Sequence, residues 1–491
     1  MDFKTNKIRK KVPDKKLKAA RRKNLKEKTI KISLPIVFSL IIITTLVIGI
    51  SKALSSINFG VFLSLAGQEL QIDENGQTNF LLLGTGNPTH DGGNLTDTLI
   101  IASLDHKNKL VSLTSIPRDL YVNDSIIGDS RINEVFYRAK TKFESITAGY
   151  RHLAMKIEAI TDTKIHYWVK VNFMGFTELV DALGGLDLVV DTAIYDPDYP
   201  KDGTYEYETF RLAAGPQHLD GKTALKYVRS RKSTSDFDRA DRQQKTIFAI
   251  KEKAVSTNTL LDKDKITAIL TALKNNIDTN LKVKEMLSMG ALAEDFSVES
   301  IEKRLIHDDF NICGGFLYTP ERKHYNNQFV LIPAGEGFTF LKQYMDLNAN
   351  YQPILHEQAR IHILNGTKTP GVAGETKQIL DRFCFNITRF GNGETQTVLK
   401  TKYYYKQSFD ENGKETTQRP LAIDYLQKLI PGEALTTIPL EYREYMQQTD
   451  VIIELGSDYV NSNNYIEDPF NNLYTITKPA NTPSNTIDEI E

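Results

Sequence analysis

Three apolar runs that lie close together decide the fold: NFLLLG (Asn79–Gly84), TLIIASLD (Thr98–Asp105) and KLVSLTSIP (Lys109–Pro117). Each has the composition and length of a β-strand, and the HKNK segment between the last two is typical of a turn. Strands of nearly continuous apolar residues are characteristic of a sheet that is covered on both faces. The sequence therefore predicts a buried central sheet.

Downstream, the sequence alternates between helical and strand patterns. Helices are predicted near Ala148–Ile160 and Gly175–Gly185, and a strand is predicted at Ile165–Val171. Such alternation predicts an α/β fold, here a layered α-β-α sandwich with a mixed central sheet over residues 78–350. The same patterns predict a strand at LDLVV (186–190), helices over 238–253 and 263–292, a last strand at QFVLIPA (328–334) and a helix at FTFLKQYM (338–345).

A smaller α/β domain is predicted over residues 357–456. It begins with ARIHILNGTKTPGVAGETKQILDRF (Ala359–Phe383), in which a strand is followed by a turn and a helix. The NGTKTPGVAG segment lacks the lysine and the glycine spacing of a phosphate loop, so a plain strand–helix connection is the preferred interpretation. Residues 457–491 are rich in Asn, Pro and acidic residues, which predicts a disordered tail.

The beginning of the chain differs in charge from the rest of its 491 residues, a length sufficient for two or three domains. Residues 1–31 carry fourteen Lys/Arg and three Asp/Glu, whereas the whole chain has a net charge of −1. The next segment, ISLPIVFSLIIITTLVIGI (Ile32–Ile50), contains no charge and is long enough to span a bilayer. We therefore predict a transmembrane helix over 32–51 and a linker over 52–77.

The positive-inside rule places residues 1–31 in the cytoplasm, as a basic tail, and the later domains outside the cytoplasmic membrane. A cleaved signal peptide is the alternative, but the charged lead and the apolar segment are both long for one. Contact with anionic lipid explains the basic tail better than nucleic-acid binding, so no nucleic acid is expected as a partner.

The chain has two cysteines, Cys313 and Cys384. Neither has the spacing of a metal ligand. They could form one disulfide outside the cell, but the sequence interpretation favoured here is a pair of buried thiols.

Arginines dominate the segment YVRSRKSTSDFDRADRQQK (Tyr227–Lys245). A short helix capped by Asp220 would place Arg229 and Arg231 just past its end, and a second helix capped by Ser235 or Asp236 would carry two more arginines on one face. Arginine forks beside a helix N-terminus form a cradle for a phosphate or pyrophosphate. A surface network, with the arginines neutralised by neighbouring aspartates, is the alternative. The two arginines predicted on one face of the second helix are Arg239 and Arg242.

Polar residues follow two of the predicted strands. Arg118 and Asp119 come directly after the third strand, and the loop after the first strand carries His90, Asp91 and, further on, Asp97. Ligands of α/β proteins bind near the carboxyl ends of strands. Because Mg²⁺ takes one or two carboxylates together with substrate phosphate, Asp91 and Asp97 are candidate ligands of Mg²⁺.

Taken together, these segments resemble the LytR–CpsA–Psr family of bacterial cell-envelope enzymes. The resemblance is carried by FLLLGT, TDTLIIASLD, LTSIPRDLYV, RINEVF, GPQHLDGKTALKYVRSR and DRADRQQ, in the family's order over about residues 78–345. The module opened by ARIHILNGT resembles the LytR-type C-terminal domain that often follows. The resemblance implies a Mg²⁺-dependent phosphotransferase that moves a glycopolymer from a polyprenyl-pyrophosphate lipid to peptidoglycan.

The resemblance also implies roles for individual residues. Asp97 would bind the metal, and Arg118 would contact the pyrophosphate beside it. Asp119 or Asp236 would orient the acceptor hydroxyl. The remaining phosphate-binding or site-lining residues would be Arg131, Asn133, Arg229, Arg231, Arg239, Arg242 and Gln243.

Two positions depart from the family pattern. Gly86 stands where the family commonly has a metal-binding aspartate, and Leu95 stands where it commonly has an arginine. Our hypothesis is that Asp91 replaces the missing aspartate. Two other functions stay open: a hydrolase of lipid pyrophosphate, in which water is the acceptor, and a non-catalytic protein that binds envelope polymer.

Overall fold

The computed structural model describes the chain from Leu70 to Asn461 with several gaps. Within the described residues, no helical segment combines the length with the apolar composition that a membrane span requires. The predicted basic tail, transmembrane helix and most of the linker lie outside the described residues. So does much of the predicted 238–253 helix. The predicted 263–292 helix also lies outside them except at 276–282, 285 and 288. Within it, Ile277–Thr279 form a strand that pairs with Val169–Val171, so the helix prediction was wrong there. The gaps within 70–461 are 87–93, 202–205, 231–241, 243–244, 247–248, 251–252, 254–275, 283–284, 286–287, 289–299, 336 and 407–418.

The first part of the chain is a mixed α/β domain, as predicted. Its elements alternate much as the sequence pattern indicated, with additional short strands. In chain order they are β1 (Gln77–Thr85), β2 (Thr96–Asp105), β3 (Leu110–Ile116), β4 (Tyr121–Val122), β5 (Ser130–Arg131), α1 (Ile132–Phe143), α2 (Ile146–Thr161), β6 (Tyr167–Asn172), α3 (Phe173–Ala182), β7 (Leu186–Val190), β8 (Ile194–Pro200), β9 (Tyr207–Leu212), β10 (Gly215–Leu219), α4 (Gly221–Arg229), β11 (Ile277–Thr279), β12 (Ile301–Leu305), β13 (Leu317–Tyr318), β14 (Ile332–Pro333), α5 (Thr339–Asn350) and α6 (Gln352–Glu357).

A central sheet organises this domain in the strand order β11-β6-β1-β2-β3-β12. β1 runs antiparallel to β2 and parallel to β6, and β3 runs antiparallel to β2 and parallel to β12. The mixed sheet is thereby confirmed. Because of these directions, the ends of β1, β3 and β6 and the start of β2 meet at one edge of the sheet.

Both faces of the sheet are buried, as the apolar runs predicted. Successive side chains of a strand point to opposite faces. Leu81 and Leu83 belong to a core that includes residues of α1, α2 and α5, whereas Phe80 and Leu82 belong to a second core with Tyr167. All five are at most 1% exposed. Burial of each such side chain contributes about 1.5–3 kcal/mol, which fixes the register of the strands.

A separate lobe, built from β7–β10, α3 and α4, packs beside the end of β6. β7 pairs with β10, and β8 pairs with β9, each in antiparallel fashion. The core of the lobe includes Phe176, Leu186 and Phe210. α3 follows β6 without a break, and residues of α3 and α4 are buried in the same core. The lobe therefore holds α4 near the end of β6. β8, β9 and β10 were not predicted from the sequence.

A second sheet, with the strand order β16-β15-β19-β17-β18, forms the C-terminal module. Helices α7 and α8 pack on one face, where Ile361 and Ile363 are buried with residues of the first domain in one continuous core. The predicted strand, turn and helix at the start of the module are present. Its elements are β15 (Arg360–Asn365), α7 (Val372–Arg382), β16 (Asn386–Asn392), β17 (Lys402–Tyr405), α8 (Ala422–Leu429), β18 (Glu433–Leu435), β19 (Val451–Leu455) and α9 (Ser457–Val460).

A disulfide between Cys313 and Cys384 connects the two parts of the chain, with Cα atoms 4.7 Å apart. The interpretation of the cysteines as buried thiols was therefore wrong. The fold brings the loop before β13 against the end of α7, where Phe316 and Phe383 pack with ring centroids 5.0 Å apart. Sequence separation alone gave no indication of this proximity.

Two predicted boundaries also differ from the structure. The strand expected at QFVLIPA is limited to Ile332–Pro333, which pair with β13. At the other end, the module extends past its predicted limit at residue 456, because α9 follows. Tyr459 of this helix is 2% exposed, and the Asp458 carboxylate accepts a hydrogen bond from the backbone N–H of Thr401 at 2.9 Å. Packing and this hydrogen bond therefore keep these residues in the folded unit.

Candidate functional site

Three segments converge at the sheet edge where β1 and β3 end and β2 begins. The backbone N–H of Ile132, at the start of α1, donates to the carbonyl of Leu120 at 2.7 Å, just beyond β3. The Thr96 hydroxyl, at the start of β2, donates to the backbone carbonyl of Asn133 at 3.1 Å. These bonds hold the end of β3, the start of β2 and the start of α1 together, which positions the side chains that follow.

Arg118, Asp97 and Asn133 meet at this point. The Nη1 atom of Arg118 is 3.1 Å from Oδ1 of Asp97, and Nδ2 of Asn133 is 3.4 Å from the same oxygen. The Nε atom of Arg118 is 3.4 Å from Oδ2 of Asp119. The structure therefore brings together residues that the sequence assigned to metal binding, phosphate binding and acceptor orientation.

Burial and two nearby carboxylates act in opposite directions on the pKa of Arg118. Burial acts to lower the pKa of its guanidinium, but the carboxylates of Asp97 and Asp119 outweigh burial, and the pKa lies above its ordinary value. The side chains of Arg118 and Asp97 are 41% and 40% exposed. A bound ligand can therefore reach both groups, and an exposed pair of this kind contributes little to stability.

The same network continues through Arg131 to residues that the sequence analysis missed. Nη1 of Arg131 lies 3.4 Å from Oδ1 of Asp119. Its Nε atom donates to Glu134 at 2.9 Å, and Glu134 also accepts from Arg138 at 2.7 Å. Burial acts to raise the pKa of Glu134, but the hydrogen bonds from Arg131 and Arg138 lower the pKa below its ordinary value. The signal for this cluster was the Arg-x-x-Glu-x-x-x-Arg spacing at a helix start.

Asn133 has an oxygen that suits a ligand. The residue is 2% exposed, and its Oδ1 atom is buried with no hydrogen-bond partner in the part of the chain that the structure describes. A buried carbonyl oxygen without a partner costs free energy, so such an atom in a native site calls for a bound ion or water. Its position beside Asp97 places two kinds of oxygen donor together.

The helix predicted before the arginine segment is α4. The Asp220 carboxylate accepts from the backbone N–H of Thr223 at 2.7 Å, which confirms the predicted cap. Arg229 is the last residue of the helix, rather than a residue beyond it. Its guanidinium carbon lies 4.3 Å from the ring centre of Phe173 and 5.4 Å from that of Tyr199. Aromatic rings of α3 and β8 therefore orient Arg229.

Arg229 belongs to the same sheet edge as Asp97. Thr85 at the end of β1 pairs with Thr96 on one side and with Asn172 on the other. The start of β2 and the end of β6 are therefore two strand spacings of about 4.8 Å apart, which is a distance of about 10 Å. Because Arg229 packs on Phe173, the residue after Asn172, it lies next to this edge.

Arg242 has a different environment from the one predicted. It is 6% exposed, its Nε atom donates to the carbonyl of Tyr227 at 2.9 Å, and its Nη2 atom donates to the carbonyl of Ser230 at 2.6 Å. Both carbonyls lie at the C-terminal end of α4, where Ser230 is the cap residue. Arg242 therefore holds the end of α4, and the buried Asp196 accepts a hydrogen bond from the Ser230 hydroxyl at 2.7 Å.

The remaining predicted site residues, Asp91, Arg231, Asp236, Arg239 and Gln243, lie outside the described residues. Among the described residues, there is no group of three or more His, Cys, Asp or Glu that could hold a metal ion. The described part of the site is thus a cluster of arginines with one exposed carboxylate and a buried amide, at the edge of a mixed sheet. Arginines grouped in this way are suited to contacts with phosphate or carboxylate oxygens.

Comparison with known proteins identifies the family. The model of the LytR_cpsA_psr family matches residues 55–329, so the chain belongs to the LytR–CpsA–Psr family. A second model, described as LytR cell envelope-related transcriptional attenuator, matches residues 358–459. The resemblance noted in the sequence is therefore confirmed for both parts of the chain.

Named relatives have roles in building the cell wall. The chain is 24% identical over 438 residues to the cell wall biosynthesis protein LcpA of Corynebacterium glutamicum, covering 80% of this chain and 76% of the relative. It is 28% identical over 262 residues to the polyisoprenyl-teichoic acid–peptidoglycan teichoic acid transferase TagV of Bacillus subtilis, covering 52% and 61%. The crystal structure of B. subtilis TagV matches 57% of this chain and 99% of its own, at 23% identity and a TM-score of 0.41. Family membership, together with the relatives that are named as transferases, identifies the chain as an enzyme of this transferase class.

Proposed function

We propose that this enzyme transfers a glycopolymer from a polyprenyl-pyrophosphate lipid to peptidoglycan, and releases polyprenyl phosphate. The observation that carries the proposal is the contact of Arg118 with Asp97 and Asp119 at the sheet edge, with Arg131 and Asn133 alongside. This arrangement suits a polyanion flanked by a metal ion. The named activity of TagV and the family membership support the same reaction class.

Mg²⁺ fits the residues at this site. The Asp97 side chain is 40% exposed, and among the described residues its carboxylate accepts hydrogen bonds through Oδ1. The buried Oδ1 atom of Asn133 has no partner there. Mg²⁺ commonly takes one or two carboxylates, with water and substrate phosphate completing its shell. We propose Asp97, Asn133 and Asp91 as the residues that hold Mg²⁺, which when bound neutralises charge on the pyrophosphate oxygens.

The arginines stabilise the negative charge that shifts during phosphoryl transfer. In the proposed reaction, the acceptor hydroxyl oxygen of peptidoglycan bonds to the phosphorus that carries the glycopolymer. The bond from that phosphorus to the bridging oxygen breaks, and polyprenyl phosphate leaves with the electron pair. Arg118, Arg131 and Arg229 provide charge-assisted hydrogen bonds, each contributing about 1.5–3 kcal/mol. We propose the same contact for Arg231, Arg239 and Gln243.

We propose that Asp119 receives the proton of the acceptor hydroxyl. Its side chain is 18% exposed, and its two oxygens lie 3.4 Å from Arg118 and Arg131, respectively. These arginines orient the carboxylate, and proton transfer to a positioned carboxylate is an established form of general base catalysis. Asp236 is the second candidate for this role.

The proposed location of the reaction is outside the cytoplasmic membrane, where the lipid substrate and peptidoglycan are both accessible. The predicted transmembrane helix over 32–51 would anchor the enzyme there. The disulfide between Cys313 and Cys384 supports this location, because disulfides persist in oxidising compartments and are rare in the cytosol.

A transfer assay with lipid-linked glycopolymer, Mg²⁺ and purified peptidoglycan tests the proposal. We expect polymer attached to peptidoglycan and released polyprenyl phosphate. Asp97→Ala and Arg118→Ala should lower the rate by about ten- to hundredfold, which corresponds to about 1.5–3 kcal/mol. Asp308→Ala, an exposed carboxylate elsewhere in the same domain, should retain the wild-type rate.

Two outcomes would contradict the proposal. Release of polymer at equal rates with and without peptidoglycan would indicate a pyrophosphate hydrolase. Full complementation of a deletion strain by Asp97→Ala would indicate a non-catalytic envelope protein.

A further inference from the structure

Glu134 lies between two arginines at the start of α1. Its Oε1 atom accepts a hydrogen bond from Nε of Arg131 at 2.9 Å, and its Oε2 atom accepts from Nε and Nη2 of Arg138 at 3.1 and 2.7 Å. The Glu134 side chain is only 14% exposed. Both oxygens of one largely buried carboxylate are therefore occupied by guanidinium groups.

The guanidinium of Arg131 is held at two of its three nitrogens. Glu134 binds Nε, and Oδ1 of Asp119 lies 3.4 Å from Nη1. Within the described part of the chain, no hydrogen bond from Nη2 of Arg131 is found. A planar guanidinium fixed at two nitrogens cannot rotate, so Nη2 is held ready for an oxygen of a bound anion.

Arg138 determines the charge of this group. One carboxylate between two arginines leaves the triad Arg131–Glu134–Arg138 with a net positive charge. If Glu134 contacted Arg131 alone, the pair would be neutral and would attract a polyanion less strongly. The two hydrogen bonds from Arg138 offset the charge of Glu134, so Glu134 orients Arg131 without neutralising Arg131.

We propose that Glu134 is a positioning residue for the pyrophosphate of the substrate, acting through Arg131. The inference rests on the proposed function, because it concerns the same site. A purely structural role is the competing explanation, since an acidic residue in the first turn of a helix also stabilises the helix dipole. The two explanations differ in the sign of one measurable quantity.

Removal of a carboxylate beside an anion site raises anion affinity if electrostatics alone acts. Removal of a positioning carboxylate lowers affinity, because Arg131 must then be ordered when the ligand binds. The experiment measures the dissociation constant of a short, soluble polyprenyl pyrophosphate, farnesyl pyrophosphate with Mg²⁺, by titration calorimetry. It uses the full chain in detergent for wild type, Glu134→Ala, Arg131→Ala and the double variant.

We expect Glu134→Ala to weaken binding by about three- to tenfold, the range for ordering one long side chain on binding. In the Arg131→Ala background, the same change should alter the dissociation constant by less than about twofold, because residues that act through one another are not additive. Asp450→Ala is the matched control. Asp450 lies in the C-terminal module and also accepts hydrogen bonds from one arginine, from Nε and Nη2 of Arg360 at 2.9 and 2.7 Å. Its loss should leave the affinity unchanged.

Equal or tighter binding by Glu134→Ala, or the same loss in both backgrounds, would overturn the positioning role while leaving the proposed function intact. Absence of binding by the wild type would instead contradict the proposed function. If Glu134→Ala lowers the melting temperature strongly, Glu134→Gln replaces it, because glutamine preserves the side-chain volume. That variant should also weaken binding only when Arg131 is present.

Discussion

The disulfide between Cys313 and Cys384 gives a prediction whose size follows from the structure. Removal of both sulfurs in Cys313→Ser/Cys384→Ser opens a loop defined by a sequence separation of 71 residues. In the chain-entropy model, closing such a loop stabilises the folded state by about 4 kcal/mol at 25 °C. We expect the double variant to lose most of that free energy of unfolding.

The contacts around the disulfide should keep the two domains together in the variant. The Nε atom of the buried Arg382 donates to the carbonyl of Phe310 at 2.7 Å, and the backbone N–H of Gly314 donates to the carbonyl of Arg382 at 2.8 Å. The domains also share one apolar core. The variant should therefore fold with an unchanged far-ultraviolet circular dichroism spectrum but melt earlier.

Differential scanning calorimetry measures the effect. An unfolding entropy of about 2 cal/mol/K per residue, over about 390 residues, converts a loss of about 4 kcal/mol into a decrease of about 5 °C in melting temperature. Wild type in reductant should melt like the variant, and reductant should not affect the variant, because the chain has no other cysteine. A variant and a reduced wild type that both melt within about 1 °C of the oxidised protein would refute the reasoning.

Three further predictions concern packing and protonation. Gly221→Ala should destabilise the protein by about 1–3 kcal/mol, because the new methyl group would overlap the carbonyl oxygen of Thr177. Urea unfolding measures this change, and Lys222→Ala, at an exposed neighbouring position, should leave the stability unchanged. Arg242→Lys should lower the free energy of unfolding by about 1–3 kcal/mol, since one ammonium cannot reproduce both hydrogen bonds to the end of α4. Unchanged stability would contradict the role of Arg242 in holding that end. Burial, followed by the charge of a nearby arginine, lowers the pKa of His362 from 6.5 to about 4. As pH decreases, the unfolded chain binds a proton at His362 before the folded chain does. The free energy of unfolding should therefore fall by about 1–2 kcal/mol between about pH 6.5 and about pH 4. Unfolding titrations at several pH values should show a smaller dependence on pH for His362→Phe.

The central sheet could be predicted because its strands are apolar on both faces. β8 and β9 could not, because β8 (IYDPDYP) contains Pro197 and Pro200, which normally argue against a strand. β8 and β9 form a hairpin outside the central sheet, where Tyr199 is buried in the core of the lobe. Local pattern therefore identified the centre of the domain and part of the lobe, but missed the strand that carries Tyr199, one of the two rings that orient Arg229.

The site was partly predictable for a similar reason. Residues that directly follow or precede strands, such as Arg118 and Asp97, could be assigned to one edge from the chain direction. The role of Arg242 could not, because a buried arginine that binds carbonyls has the same sequence signature as one that binds phosphate. Glu134 and Arg138 have a readable helical spacing, but only the fold shows that their network reaches Asp119.

The identity of the bound anion is the most direct test of this account. Purified protein lacking residues 1–51 would be extracted, and the extract analysed by mass spectrometry for polyprenyl phosphates, beside Arg118→Ala/Arg229→Ala and the control Arg360→Ala. The account predicts polyprenyl phosphate or pyrophosphate in the wild type and the control, and its loss from the double variant. Absence of lipid from all three proteins, even after incubation with a polyprenyl pyrophosphate and Mg²⁺, would contradict it.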